Sequence, residues 1–222
     1  MTAKDLQTLS RYLFNLSVQE LYQLDYTFML SFGRLGGKAQ HLALSEILYY
    51  LQVTEPYRTR ISYVAWIYCF LMPRSRIGPW RLYKVENFEG HFRHFDLHWH
   101  FAQAMQYPGS DMTFLPVVNT DTRLACVITT DPEFGLLEHG VLGVCVFNKL
   151  PYVALWIGGA VNVGVLDSAL KSVLKNNPQQ CLVSVYTTLD STHAAARHLF
   201  HRKGGQQALE AASARVHEAA GL

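Results

Sequence analysis

The sequence predicts an α+β fold: N-terminal helices, a central, mainly antiparallel sheet, then a β-α-β-α unit and a C-terminal helix. Three observations carry that expectation. Leucines recur at helical spacing through the first third of the chain, short valine-rich runs broken by turn residues fill 114–157, and strand and helix patterns alternate beyond them. A helical part, residues 1–72, and an α/β part, residues 73–222, are expected to form one continuous domain. The chain has 222 residues, half of them hydrophobic and 16% charged, which suits a packed core and excludes a disordered chain.

Leu6, Leu9, Leu13 and Leu16 mark a first helix over 4–16. Ser17-Val18-Gln19-Glu20 is a capping box, in which the serine hydroxyl and the glutamate each satisfy an orphan amide. The helix it starts places Leu21, Leu24, Phe28, Phe32 and Leu35 on one stripe and ends at Gly36-Gly37. A further amphipathic helix carries Leu44, Ile47, Leu48 and Leu51 and stops before Pro56. The joining segment has no basic recognition face, so these are packing helices rather than a DNA-reading pair. Residues 61–72 are apolar on all sides and are expected to be buried, as a helix or a central strand. In the next stretch Arg74, Arg76, Arg81 and Lys84 alternate with Trp80 and Tyr83. It reads either as a phosphate or nucleotide grip or as a basic surface turn ahead of a strand.

In residues 89–101, EGHFRHFDLHWHF, the chain alternates with period two from His94 onward. His94, Asp96, His98 and His100 fall on one parity; Phe95, Leu97, Trp99 and Phe101 fall on the other. That is the pattern of a half-buried strand. A helical alternative would put His91, His94 and His98 on one face. The polar row has three readings: a solvated strand face, a divalent metal site, or a source of a general base. Glu89 or His91 could complete a metal shell.

Runs at 114–118, 124–129, 141–147 and 152–157 are short strands, and 141–157 is a hairpin. A helix over 165–174 with Leu166, Leu170, Val173 and Leu174 inward, a strand over 181–186, a helix over 192–202 capped by Asp190 or Ser191, and a terminal helix over 206–221 complete the chain. Cys69, Cys126, Cys145 and Cys181 are widely spaced, with no C-x-x-C pair, and read as reduced, mostly buried thiols. The N-terminus has no signal-peptide pattern and no apolar run spans a bilayer, so a cytoplasmic location is expected. A formal charge of +2 is too small by itself to argue for nucleic acid, which is not expected as a partner, although residues 74–84 are basic and aromatic.

Ala196, Leu199, Phe200 and Gly204-Gly205 form a pattern that resembles the A-x-x-L-Y-x-x-x-G-F signature of the GNAT family of N-acetyltransferases, and CLVSVYT ahead of it sits where that family has its fifth strand. The resemblance covers 141–205. It implies that acetyl-CoA or another acyl-CoA lies in a cradle of hairpin and β-α-β unit, with its pyrophosphate on amides near Gly159, Gly164 and Val165. It also implies direct aminolysis with His98 and His100 as bases, Glu138 and His139 being outer candidates. The family's basic residue is missing from GGAVNVGV and Phe200 replaces its tyrosine, so a degenerate relative is equally implied. Two other classes stand beside this one. The first is a metal-dependent enzyme or metal-binding protein using His94, Asp96, His98 and His100. The second is a non-catalytic interaction subunit, for example of a bacterial or mobile-element assembly, with a homodimer or protein partner engaged through the N-terminal helices. A large exposed apolar patch on residues 1–72 would favour the last. On the acyltransferase reading, His98→Ala and His100→Ala leave circular dichroism unchanged and abolish acetyl-CoA turnover; unfolding of both variants would instead show a structural role.

Overall fold

The computed structural model describes residues 2–28, 35–74, 77–85, 101, 103–105, 112–118, 122–129, 139–147, 149–174 and 181–219, without the side chains of 25–28, 112–118 and 205–219. It is an α+β structure. Helix α1, Ala3–Phe14, opens with a capping box: the Asp5 amide donates to Thr2 Oγ1 at 3.2 Å and the Thr2 amide donates to Asp5 Oδ2 at 2.7 Å. The expected box at Ser17–Glu20 starts α2, Val18–Phe28, with the Ser17 amide donating to Glu20 Oε2 at 2.7 Å. Helix α3 is Gln40–Val53 and α4 is Tyr57–Leu71, continued by a 3-10 turn at Met72–Arg74. The all-apolar 61–72 stretch is therefore helix. It is buried because α4 lies against the sheet on one side and against α3 on another.

The strands are β1 (Trp80–Lys84), β2 (Met112–Val118), β3 (Thr122–Thr129), β4 (Gly140–Phe147), β5 (Tyr152–Gly159) and β6 (Leu182–Tyr186). They form one sheet in the order β2-β3-β4-β5-β1-β6, and every neighbouring pair is antiparallel. The middle four of the expected strands are all present as a meander. Strand β1 comes from the basic–aromatic stretch. It lies between β5 and β6, with Trp80 opposite both Trp156 and Tyr186. Helix α5, Val163–Leu174, connects β5 to β6 across it. The β-α-β unit is thus present, but its two strands are not neighbours.

Alternation on the strands divides the core in two. Trp80, Leu82, Leu124, Cys126, Ile128, Cys145, Phe147, Tyr152 and Trp156 face α1 to α4. Val127, Leu142, Val144, Val146, Val153 and Leu155 face Leu166, Ala169, Leu170 and Leu174 of α5. The first cluster runs from Leu9 to Ala196, so the N-terminal helices and the sheet share one core. Where α1, α4 and β5 meet, Tyr12 stands edge-on to Trp156 at 5.9 Å, and Tyr68 lies 5.4 Å from the same indole. Such pairs contribute about 0.5–1.5 kcal/mol beyond the area they bury.

The C-terminal region departs from expectation. Instead of two helices, one 31-residue helix α6, Leu189–Ala219, runs straight through Gly204-Gly205. Glycine allows a left-handed cap but does not impose one, and about 1 kcal/mol per glycine is tolerable between good helix formers. Its cap is Thr188 rather than Asp190 or Ser191: the Ser191 amide donates to Thr188 Oγ1 at 3.1 Å. Residues 86–100, with the histidine row, lie outside the described residues. Phe101, expected to end that strand, is helical, and its ring is buried against the second cluster.

Gly159 has φ +66°, and a Cβ there would stand 2.1 Å from the His139 carbonyl oxygen. Gly159→Ala should therefore destabilise by about 2 kcal/mol or more in urea denaturation. At Gly164 the nearest atom to an added Cβ is 3.4 Å away, so Gly164→Ala, as control, should shift the midpoint little.

Candidate functional site

Of the residues singled out for chemistry, His94, Asp96, His98, His100 and Glu138 lie outside the described residues. Gly159, Gly164 and Val165 are described. Gly159 ends β5 and turns the chain into α5, and Asn162 caps that helix: its Oδ1 accepts from the Gly164 amide at 3.0 Å and the Val165 amide at 3.2 Å. The amides that a pyrophosphate would use are thus already satisfied by a side chain, and an anion would have to displace it. Phe200 is exposed in the middle of α6.

The basic–aromatic stretch does not form a stacking platform. Trp80 is buried with its indole N–H donating to the Ile77 carbonyl at 3.0 Å, and Tyr83 is buried on the opposite sheet face. Arg74 folds over the Phe70 ring at 3.3 Å and donates to the Phe70 carbonyl and to Gln23. Strand alternation turns the aromatics inward, which removes the base-stacking half of the nucleotide reading. The four cysteines are buried and none is in a disulfide, and burial pushes Cys69 up to about 12 and Cys126 and Cys145 well above the ordinary thiol range, so these three are not ready thiolates. Among the described residues no three His, Cys, Asp or Glu side chains gather as a metal-holding group.

One polar constellation does stand out, and it joins residues 134 positions apart. Asp5 is in the first turn of α1, Tyr57 opens α4, and His139 immediately precedes β4. The His139 ring Nδ1 lies 2.6 Å from Asp5 Oδ2, and the His139 amide donates to Asp5 Oδ1 at 2.8 Å. The Tyr57 hydroxyl is bonded to His139 Nε2. A carboxylate only accepts, so the Nδ1 proton of His139 points at Asp5, which orients the ring and leaves Nε2 facing the Tyr57 hydroxyl. Asp5 also accepts from the Thr2 amide and hydroxyl. Asp5 is 9% and His139 4% exposed. The backbone beside them is just as tight: the His139 carbonyl accepts from the Ala160 amide at 3.2 Å, and a Cβ at Gly140 would meet Thr129 Oγ1 at 2.7 Å.

Burial alone would raise the Asp5 carboxyl; hydrogen bonds from the His139 ring and amide and from Thr2 outweigh it and bring it down to about 2. In chemical terms this is a relay in which a carboxylate orients an imidazole that holds a phenol. In packing terms it is a satisfied clamp between two helices and the sheet, with Asp5 and His139 buried and Tyr57 half-buried. Sequence reasoning placed His139 among the outer candidates, but Asp5 and Tyr57 had no signal of their own. Asp5 reads as a helix-capping acid and Tyr57 as one tyrosine among 12.

No family model matches the chain, and no curated protein matches it. Among the described residues no helix is long and apolar enough to cross a membrane.

Because the folded Asp5 carboxyl sits near 2 against an ordinary 3.8, its contribution is fully present above about pH 4 and is lost as pH falls towards 2. Asp5→Asn should cost roughly 2 kcal/mol at pH 7 by urea denaturation. The difference from wild type should shrink progressively between pH 4 and pH 2; a constant difference would sink the assignment.

Proposed function

We propose that this chain is a non-catalytic interaction subunit that binds an amphipathic helix of a partner protein on the outer face of α3. The observation that carries the reading is a helix with two apolar faces. Ala43, Leu44, Ile47 and Leu51 are buried against the rest of the molecule. Leu42, Tyr49 and Val53 are 50%, 66% and 52% exposed. At 3.6 residues per turn these three lie within roughly 40° of one another, opposite the buried set. Gln40 Nε2 donates to the Phe14 carbonyl at 3.0 Å, which ties the end of α1 to the start of α3, and Phe14 is itself 63% exposed. On the outer face of α3 itself the one acid, Glu46, is paired with Lys38. An uncharged stripe of this kind is what a helix-binding surface offers. It lies on residues 1–72, where the interaction reading expects it.

An acyl-CoA-dependent N-acyltransferase is the second reading. It is favoured by one observation, the order of hairpin β4–β5, helix α5, strand β6 and helix α6. His139, with its Asp5 and Tyr57 partners, would be its base within the described residues, although buried as it stands.

A photo-cross-linking amino acid in place of Tyr49, in cells that produce the protein naturally, should give one discrete heterologous adduct, lost in Leu42→Glu/Val53→Glu. That double variant should keep the melting temperature within a few degrees, since both positions are exposed. Absence of any adduct would overturn the docking surface. A CoA-sized mass increase in native mass spectrometry with acetyl-CoA would overturn the non-catalytic half and move the assignment to the second reading.

A further inference from the structure

The sheet has two edge strands, β2 and β6, and they are built differently. Strand β2 carries Pro116, which has no amide proton to offer a further strand. Strand β6, Leu182–Tyr186, carries no proline, and no charged residue stands between Lys175 and Asp190. Lysine, proline and inward-pointing charge are the usual means of keeping an edge from pairing, so β2 is guarded where β6 is not. A shift of register against β1, between Leu82 and Tyr83, falls at the Leu182 end of β6 and leaves Ser184–Tyr186 in plain register with Leu82, Arg81 and Trp80. Leu182, Val183 and Val185 are 38%, 38% and 51% exposed, whereas every residue of β4 is buried. Among the described residues the backbone of Leu182–Tyr186 bonds only to β1, which leaves a row of amides and carbonyls pointing outward along the edge.

We infer that β6 pairs antiparallel with β6 of a second copy of this chain, joining two six-stranded sheets into one across a two-fold axis at Ser184. The inference is independent of the α3 surface. Two features choose the occupant. A row of backbone donors and acceptors along a sheet edge is matched by another extended backbone, which neither a helix nor a lipid surface offers at that spacing. The side chains then choose the strand. Read about Ser184, the segment Leu182-Val183-Ser184-Val185-Tyr186 is its own antiparallel complement: Ser184 faces its counterpart, Val183 faces Val185, and Leu182 faces Tyr186. Pairs of β-branched residues, of an aliphatic with an aromatic, and of two hydroxyls stabilise neighbouring strands, and no charge meets a like charge. A two-fold contact puts the same patch on both copies, as this register requires. The axis stands normal to the sheet, so helix α5 of both copies lies on one face and helices α1 to α4 of both on the other.

The test is light scattering of the full chain at roughly 100 μM, enough to populate a micromolar contact. It should give twice the chain mass of 25.2 kDa. Val185→Lys sets a charge on the exposed edge of each copy; it should return the mass to that of one chain and keep the melting temperature within a few degrees. Ser184→Cys reads the register. Residues facing each other in an antiparallel pair have Cα atoms about 4.5–5.5 Å apart, within reach of a disulfide. This variant should therefore cross-link to a dimer under mild oxidation, while the native cysteines, all buried, should not. Val183→Cys is offset from its own counterpart by two positions, roughly 7 Å along the strand, and should cross-link at least tenfold more slowly. A single-chain mass for the wild type would overturn the self-pairing and leave the edge to an extended segment of another protein. An unchanged dimer in Val185→Lys, or equal cross-linking at positions 183 and 184, would overturn it as well. So would a dimer lost in Leu42→Glu/Val53→Glu, which would place the contact on α3. Failure of the α3 cross-link would leave it untouched.

Discussion

Strand β4 has no free face. All eight of its residues, Gly140–Phe147, are buried, and so are the first five of β5. A hairpin covered on both sides must find a layer of helices for each side, and the rest of the molecule is arranged to supply them. The N-terminal helices cover one side with leucines, and α5 covers the other with Leu166, Ala169, Leu170 and Leu174. Close packing sets the details. A Cβ at Gly143 would stand 2.7 Å from Met72 Cε and 3.2 Å from the Trp156 ring, so a glycine in the centre of the sheet makes room for a methionine and an indole.

Covering both faces drives most polar groups to the edges, and the Asp5–His139–Tyr57 cluster that stays inside among the described residues is fully paired. Asp5, His139 and Tyr57 meet where α1, α4 and the start of β4 converge, and each polar atom described there has a partner. Buried polar groups are costly singly and tolerable as closed networks. The same closure makes the clamp a poor reagent as it stands, because a base whose nitrogens are both engaged and shielded has no substrate to receive. The cap at Asn162 has the same logic at the head of α5: the amides are satisfied internally.

Interaction chemistry is left to the outer surfaces, and there the average properties of the chain mislead. A net charge of +2 describes a nearly neutral protein, yet Arg197, Arg202 and Lys203 follow one another along α6 with no acid between them in sequence. Helix α3 is weakly amphipathic because it is apolar twice, once towards the core and once towards solvent. In both cases the distribution along or around a helix carries the information that composition averages away.

The sequence by itself determined the local elements. Helical leucine spacing, the Ser17–Glu20 box, the valine-rich runs and the hairpin at 141–157 each follow from interactions within a few residues, and each is present. Tertiary structure alone decided the rest. Whether residues 61–72 became helix or strand depended on what lay on either side. The place of β1 between β5 and β6 is a pairing over 70 residues of chain, which no local pattern encodes. Gly204-Gly205 looked like a stop and is helix, because a glycine pair permits a turn without requiring one. The Asp5–His139 bond spans 134 positions, and each partner alone has an ordinary local role. Local propensity is worth tenths of a kcal/mol per residue, whereas pairing and burial between distant segments are worth several, so the long-range choices are made only once the chain has closed on itself.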